Sequence, residues 1–146
     1  MLALWLGASL FFAVVVAPAA FAALPTRELA GALVGRILPS LFITGMLVGA
    51  IILALEIRAP RSGGRVRAAG AGVMLIACGI AQFVIGGRID RLRGAAERPI
   101  SALSSDDPRR RAFGRLHALS VAALGAAMLA AAAAAASART ADPAKG

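Results

Sequence analysis

The residues best suited to chemistry lie in one short stretch, Arg111-Ala-Phe-Gly-Arg-Leu-His117-Ala-Leu-Ser120. Phe113 and His117 are four apart and His117 and Ser120 three apart, so on a helix all three share one face. A histidine placed this way can titrate near neutrality, bind a ligand or pair with an acid from another loop. It can also serve as an interfacial ring that hydrogen-bonds headgroups or a neighbouring carbonyl, and that plainer use is the expectation adopted for His117. Glu56 and Gln82 are the other polar candidates beside or within apolar runs. Each reads as the marker of a helix end or as a packing hydrogen bond.

The remaining inventory excludes most site chemistry. The chain has one His, one Cys and four Met, and no acidic pair falls inside an apolar run, so a metal centre lacks its ligands. A bis-histidine haem would need a second chain. No Ser or Cys is tied to His117 by a nucleophile–base–orienter pattern, and Ser62-Gly63-Gly64 lacks the context of a phosphate-binding loop. Neither an enzyme nor a cofactor is expected. Cys78, between Ala77 and Gly79 in an apolar run, reads as a small packing residue.

Composition then sets the solvent. Of 146 residues, 60% are hydrophobic and 16% charged, and the mean hydropathy is +0.81. Soluble domains run nearer 45–50% apolar, and a chain this short has too much surface to hide such an excess. The net charge is +9 and the pI about 11.8. A soluble protein with those values would point to nucleic acid. Here the arginines are confined to short stretches between apolar blocks and no basic-aromatic groove motif is present. Anionic headgroups of a bilayer are the expected partner, and nucleic acid is not.

Four apolar blocks follow one another, at about 2–24, 40–57, 68–87 and 116–136. The first, Leu2 to Leu24, spans roughly 34 Å as a helix, enough to cross a hydrocarbon core of about 30 Å. Ala20-Phe21-Ala22 resembles a signal cleavage site, but no basic residue precedes the block and the apolar run is too long, so it reads as a retained span. Pro18 should kink or loosen it. Pro25-Thr26-Arg27-Glu28 is a helix start, and the amphipathic stretch up to Pro39 should lie at the interface or lead into the second span, with Arg36 snorkelling outward. Pro60, Gly63 and Gly64 punctuate a basic turn. The region from Arg88 to Arg115 is the longest polar one, with Arg93 and Glu97 spaced to pair on a helical turn.

Asp107 reads as the N-cap and Pro108 as the first helical residue of the last helix. Arg109, Arg110, Arg111 and Arg115 in its first turns oppose the helix dipole, so Asp106, Asp107 or lipid phosphates should partner them. The run Ala130 to Ala136 gives helix propensity but little hydrophobic weight, making this the weakest span to insert. Residues 137–146 should be a disordered tail. Gly31/Gly35 and Gly45/Gly49 have the four-residue spacing that lets helices approach closely in lipid. The first and third loops are richer in arginine than the second loop and tail, which favours termini outside.

Order and spacing of several short motifs carry a family likeness. Trp5-Leu-Gly7, Phe11-Phe12, Val16-Ala-Pro18 with Phe21, Leu24-Pro25, Arg27 with Ala30-Gly31, Gly35-Arg36 and Leu38-Pro39 resemble bacterial membrane proteins related to eukaryotic transmembrane protein 205. Arg88 to Arg93 and Phe113-Gly-Arg-Leu-His117-Ala-Leu-Ser120 agree, and the likeness covers most of residues 2–130. It implies a four-span membrane domain of largely unknown function. The first block is also similar to the start of the copper-resistance D type of membrane domain, whose haem-linked relatives depend on histidines within the spans; this sequence has none there.

The expected architecture is therefore all-α, an integral membrane four-helix bundle with short basic loops and an amphipathic interfacial segment. The expected setting is multi-pass in a bacterial inner membrane, with a homo-oligomer or a membrane-protein partner in prospect. The expected role is structural, interaction or transport-accessory. The alternative is a small-solute or ion transporter, for which only Gln82, Thr44, Ser9 and Ser120 offer polar groups within the spans. A cofactor-dependent membrane enzyme ranks third. The residues expected to matter are Trp5, Pro18, Arg27, Arg36, Pro39, Arg88, Arg93, Arg111, Phe113, His117 and Ser120.

Overall fold

A computed structural model describes residues 1–60, 63–95 and 99–140, with backbone only for 138–140. The described chain is all-helical, and its four long rods are apolar and long enough to cross a membrane. We label them α1 (Leu2–Ala23), α2 (Arg27–Arg58), α3 (Gly64–Gly94) and α4 (Pro108–Thr140). A short 3₁₀ turn, Ile100–Ala102, lies between α3 and α4. Large apolar side chains such as Leu4 and Leu129 stand 80% and 75% exposed on the outside, which water would penalise and lipid would not.

Local chemistry sets the helix ends. Leu29 N–H donates to the Thr26 hydroxyl at 3.2 Å and opens α2, and Arg109 N–H donates to Asp107 Oδ1 at 2.8 Å and opens α4 behind Pro108. Gly63, at φ 72°, turns the chain from α2 into α3 in a left-handed conformation that favours glycine. Pro18 follows a π-helical turn, Phe12–Val16, in which Ala17 N–H reaches back to the Phe12 carbonyl. The proline has no N–H to restore the α-helical pattern there. A second π-helical turn, Ile80–Gly86, widens α3.

Several boundaries differ from the sequence reading. The segment from Arg27 and the second span form one continuous 32-residue helix that runs through Pro39, so the proline is not a border. Residues 137–140 continue α4 as helix rather than starting a tail; residues 141–146 lie outside the described residues, as does Glu97, the expected partner of Arg93. Two of the arginines opening α4 find backbone oxygens rather than carboxylates. Arg110 donates to the Leu103 carbonyl and Arg111 to the Asp106 carbonyl, both at 2.7 Å.

Packing is tightest in the half of the bundle away from the α2 N-terminus. A Cβ on Gly45 would lie 2.8 Å from Cys78 Sγ and 2.9 Å from the Trp5 ring, and one on Gly49 would lie 2.9 Å from the Ala71 carbonyl oxygen. The Trp5 indole N–H donates to the Leu41 carbonyl at 2.9 Å, tying α1 to the same stretch of α2. On the other side of α3, a Cβ on Gly70 would meet the Ala130 carbonyl at 2.8 Å and the Ala134 methyl at 2.9 Å. The alanine run, light in hydrophobic weight, is thus a seam, with Ala131 and Ala134 fully buried in it and Ala127 buried one turn before it.

At the turn between α2 and α3, Glu56 and Arg67 form a buried ion pair. Arg67 Nε donates to Oε1 at 2.8 Å and Nη2 to Oε2 at 3.3 Å, with side chains only 5% and 9% exposed. Arg67 therefore departs from the expected headgroup collar, and of the two uses expected for Glu56, end marker or packing hydrogen bond, the structure shows a buried hydrogen-bonded pair. Gly64 permits the pair, since a Cβ there would fall 2.6 Å from Glu56 Oε2.

Two stability tests follow from these contacts. Gly49→Ala should lower the melting temperature in detergent, whereas Gly72→Ala, with nothing within 4 Å of the new methyl, should leave it unchanged or raise it by helix propensity. Glu56→Ala should destabilise by roughly 3–5 kcal/mol by burying Arg67 without its carboxylate, and Glu56→Leu combined with Arg67→Leu should recover much of that loss.

Candidate functional site: a cleft at the basic end of the bundle

At the end where α2 and α4 begin and α1 and α3 finish, the rods diverge around a partly enclosed cleft of about 780 Å³. That volume lies within the range of small-molecule and cofactor pockets. Its walls are the first half of α2 (residues 27–42), the π-helical turn and last turns of α3 (81–93), the 3₁₀ turn and the start of α4 (110–120), with Phe21 of α1 at the edge.

Gly31 and Gly35 make the α2 wall. Among the described residues nothing lies within 4 Å of a Cβ built on Gly31, and on Gly35 the three nearest atoms belong to the Arg93 side chain, the closest at 3.3 Å. This glycine pair consequently does not bring two helices together, as its spacing predicts; it leaves the groove open. Pro39, one turn beyond Gly35 on the same wall, carries no N–H for the Gly35 carbonyl to accept.

The opposing wall is aromatic and basic. Phe113 and His117 stack with ring centroids 6.4 Å apart and planes within 6°, and the Arg93 guanidinium lies over Phe113 at 5.4 Å from its centroid. That geometry suits a cation on an aromatic face, worth about 0.5–1 kcal/mol where exposed. Arg110 also faces the cleft, held by the Leu103 carbonyl. Arg27, Glu28 and Asp90 complete the charged lining. Among the described residues none of these five side chains enters an ion pair. Deeper in, Val34, Leu38 and Phe42 form an apolar wall, with Phe42 buried.

The cleft gathers Arg27, Pro39, Arg93, Phe113, His117 and Ser120 from the residues singled out in the sequence. The shared face inferred for Phe113, His117 and Ser120 is the one turned to it. Trp5 is buried in the packed half instead, Pro18 is exposed behind its π-helical turn, and Arg36, Arg88 and Arg111 are exposed outside the cleft. The roles of Gly31, Asp90, Ile100 and Arg110 were not read from the sequence. A one-turn spacing on α2 marks Gly31 with Gly35, but nothing in the sequence alone tells an open glycine from a packed one.

The polar groups needed for a transport path divide. Gln82 and Ser120 line the cleft. The Thr44 hydroxyl is exposed and donates to the Ser40 and Leu41 carbonyls at 2.7 and 3.1 Å. Ser9 is fully buried, with an Oγ that has no hydrogen-bond partner among the described residues. Among the described residues no group of three or more His, Cys, Asp or Glu is gathered to hold a metal ion.

Fold and apolar rods together define a small multi-pass membrane protein. A family model described as a domain of unknown function, DUF4149, matches residues 1–98, and the chain belongs to that family. The match takes in α1, α2 and α3, and thus the glycine wall and Arg93, while the Phe113–His117 wall lies beyond it. Neither the curated proteins nor the solved structures contain a match.

The openness of the glycine wall is directly testable. In detergent-solubilised protein, Gly31→Cys should react with a water-soluble maleimide far faster than the buried native Cys78, and the label should add mass without unfolding the chain. A Gly31→Cys thiol as unreactive as Cys78 would show that the cleft is closed.

Proposed function

We propose that the chain is a non-enzymatic binding module of a bacterial inner membrane, working in a structural, interaction or transport-accessory role, with the cleft as its working part. One observation carries this reading: a cavity of ligand size unites motif residues from α2, α3 and α4, and its lining joins charged groups to an apolar wall. Such a lining suits an amphiphile or the end of a membrane-protein segment better than a soluble polar solute. The likeness of Trp5 to Pro39 and of Phe113 to Ser120 to bacterial relatives of transmembrane protein 205 agrees with a membrane module of this kind.

The transporter reading draws on Gln82 and Ser120 at the cleft; Ser9 and Thr44, off its walls, contribute no continuation across the bilayer.

A photo-crosslinking residue at Ala32, exposed on the cleft wall, tests the proposal in membranes of a bacterial host. It should give a discrete adduct absent from the same probe at Val73, and Gly31→Phe should abolish it by filling the groove. Identical, diffuse adducts at both positions would overturn the proposal. Solute flux through proteoliposomes that Gln82→Leu lowers would favour transport instead.

A further inference from the structure

Resting on the reading of the cleft as a binding site, we propose that its occupant is a membrane phospholipid, whose phosphodiester is held by Arg93 and Arg110 with Arg27 at the mouth.

Three features of the lining lead there. The first is charge that is positioned and, among the described residues, enters no ion pair. Arg93 lies over the Phe113 ring and beside Gly35, and Arg110 donates to the Leu103 carbonyl. Neither an aromatic face nor a peptide carbonyl cancels a guanidinium's charge. A bidentate guanidinium–phosphate contact is among the stronger charge-assisted hydrogen bonds, and its planar fork matches the phosphate oxygens.

The second is the size of the charge. Among the described residues, three arginines against Glu28 and Asp90 leave the lining side chains at plus one. That balance answers the single negative charge of a phosphodiester. It does not answer a polyanion, which the two carboxylates would repel.

The third is depth. The α2 wall runs from Arg27 to Phe42, fifteen helical steps or about 22 Å along the axis, against a hydrocarbon core of about 30 Å. A free phosphate or a soluble phosphate ester would occupy only the rim. The apolar remainder, with Val34, Leu38 and Phe42 below the charges, matches acyl chains, and a partly enclosed cleft lets them continue into the bilayer.

The test uses full-length protein delipidated in detergent and titrated with phosphatidylglycerol, diacylglycerol or glycerol phosphate, with bound lipid counted by native mass spectrometry. One phosphatidylglycerol per chain should be retained, at least tenfold more tightly than diacylglycerol or glycerol phosphate. Arg93→Gln combined with Arg110→Gln should weaken retention at least tenfold, as should Gly31→Phe. Arg65→Gln, at the opposite end of the bundle, should have no effect. Circular dichroism and melting temperature would confirm that each variant is folded. Equal retention of diacylglycerol, equal binding of glycerol phosphate, or indifference to the double arginine substitution would each overturn the proposal. A discrete Ala32 adduct of another chemical class would overturn it while leaving the binding-module reading intact; loss of any discrete adduct would remove both.

Discussion

Close approach of α2 to its neighbours at Gly45 and Gly49 is the constraint on which the rest of the architecture depends. Lipid offers helices no gain from burying one apolar side chain against another, so association must come from close approach and from polar pairs that have nowhere else to go. Both devices are concentrated in one half of this bundle. Trp5 and Cys78 fill the surface that Gly45 leaves, Ala71 abuts Gly49, and the alanines of α4 close on Gly70. Glu56 and Arg67 then pin the turn joining α2 to α3.

The other half is built from the same residue types and does the opposite. Gly31 and Gly35 share the four-residue spacing of Gly45 and Gly49, yet among the described residues nothing packs on the first and the Arg93 side chain is what lies nearest the second. The difference lies in what faces them. Opposite Gly45 and Gly49 stand Cys78, Trp5, Ala71 and Leu75, all uncharged, whereas opposite Gly35 stands the Arg93 guanidinium, a charge that resists being drawn into helix contact. The π-helical turn at Ile80–Gly86 belongs to this divergence, because it carries Ala81, Gln82 and Gly86 onto the cleft wall just before the α3 arginines begin.

Much of the fold was legible from elementary rules. Uncharged runs of membrane length located the four rods, and the caps at Thr26 and Asp107 followed from side chains that accept backbone N–H bonds. The ion pair was legible in principle as well. Arg67, Ala71, Met74 and Cys78 form one buried stripe, and Phe42, Gly45, Gly49 and Glu56 another; extending each stripe to its end places both charges inside. Arg67 reads as part of the basic turn because a charge at a span end is ordinarily solvated, and Glu56 reads as an end marker or a packing hydrogen bond. The cleft was only half legible. Periodicity put Phe113, His117 and Ser120 on one face, but which face of α2 would stand across from them depends on the crossing of helices far apart in the chain. Pro39 misled for a related reason: a mid-helix proline is a boundary signal in isolation, and here tertiary contacts carry the helix through it.

Why the cleft does not simply close is the last step. Closing it would gain contact along the bare glycine wall, a matter of dispersion between surfaces that lipid tails already cover well. It would also strip water and headgroups from Arg27, Arg93, Arg110, Glu28 and Asp90. Moving ions from a polar to an apolar setting costs several kcal/mol each even after relaxation, unless good pairs form, and these five form none among themselves. The same unneutralised charges that suit the cleft to a phosphate therefore also prop it open. The packed half of the bundle lets that end stand apart, because the helices are already held by their glycines, alanines and buried ion pair.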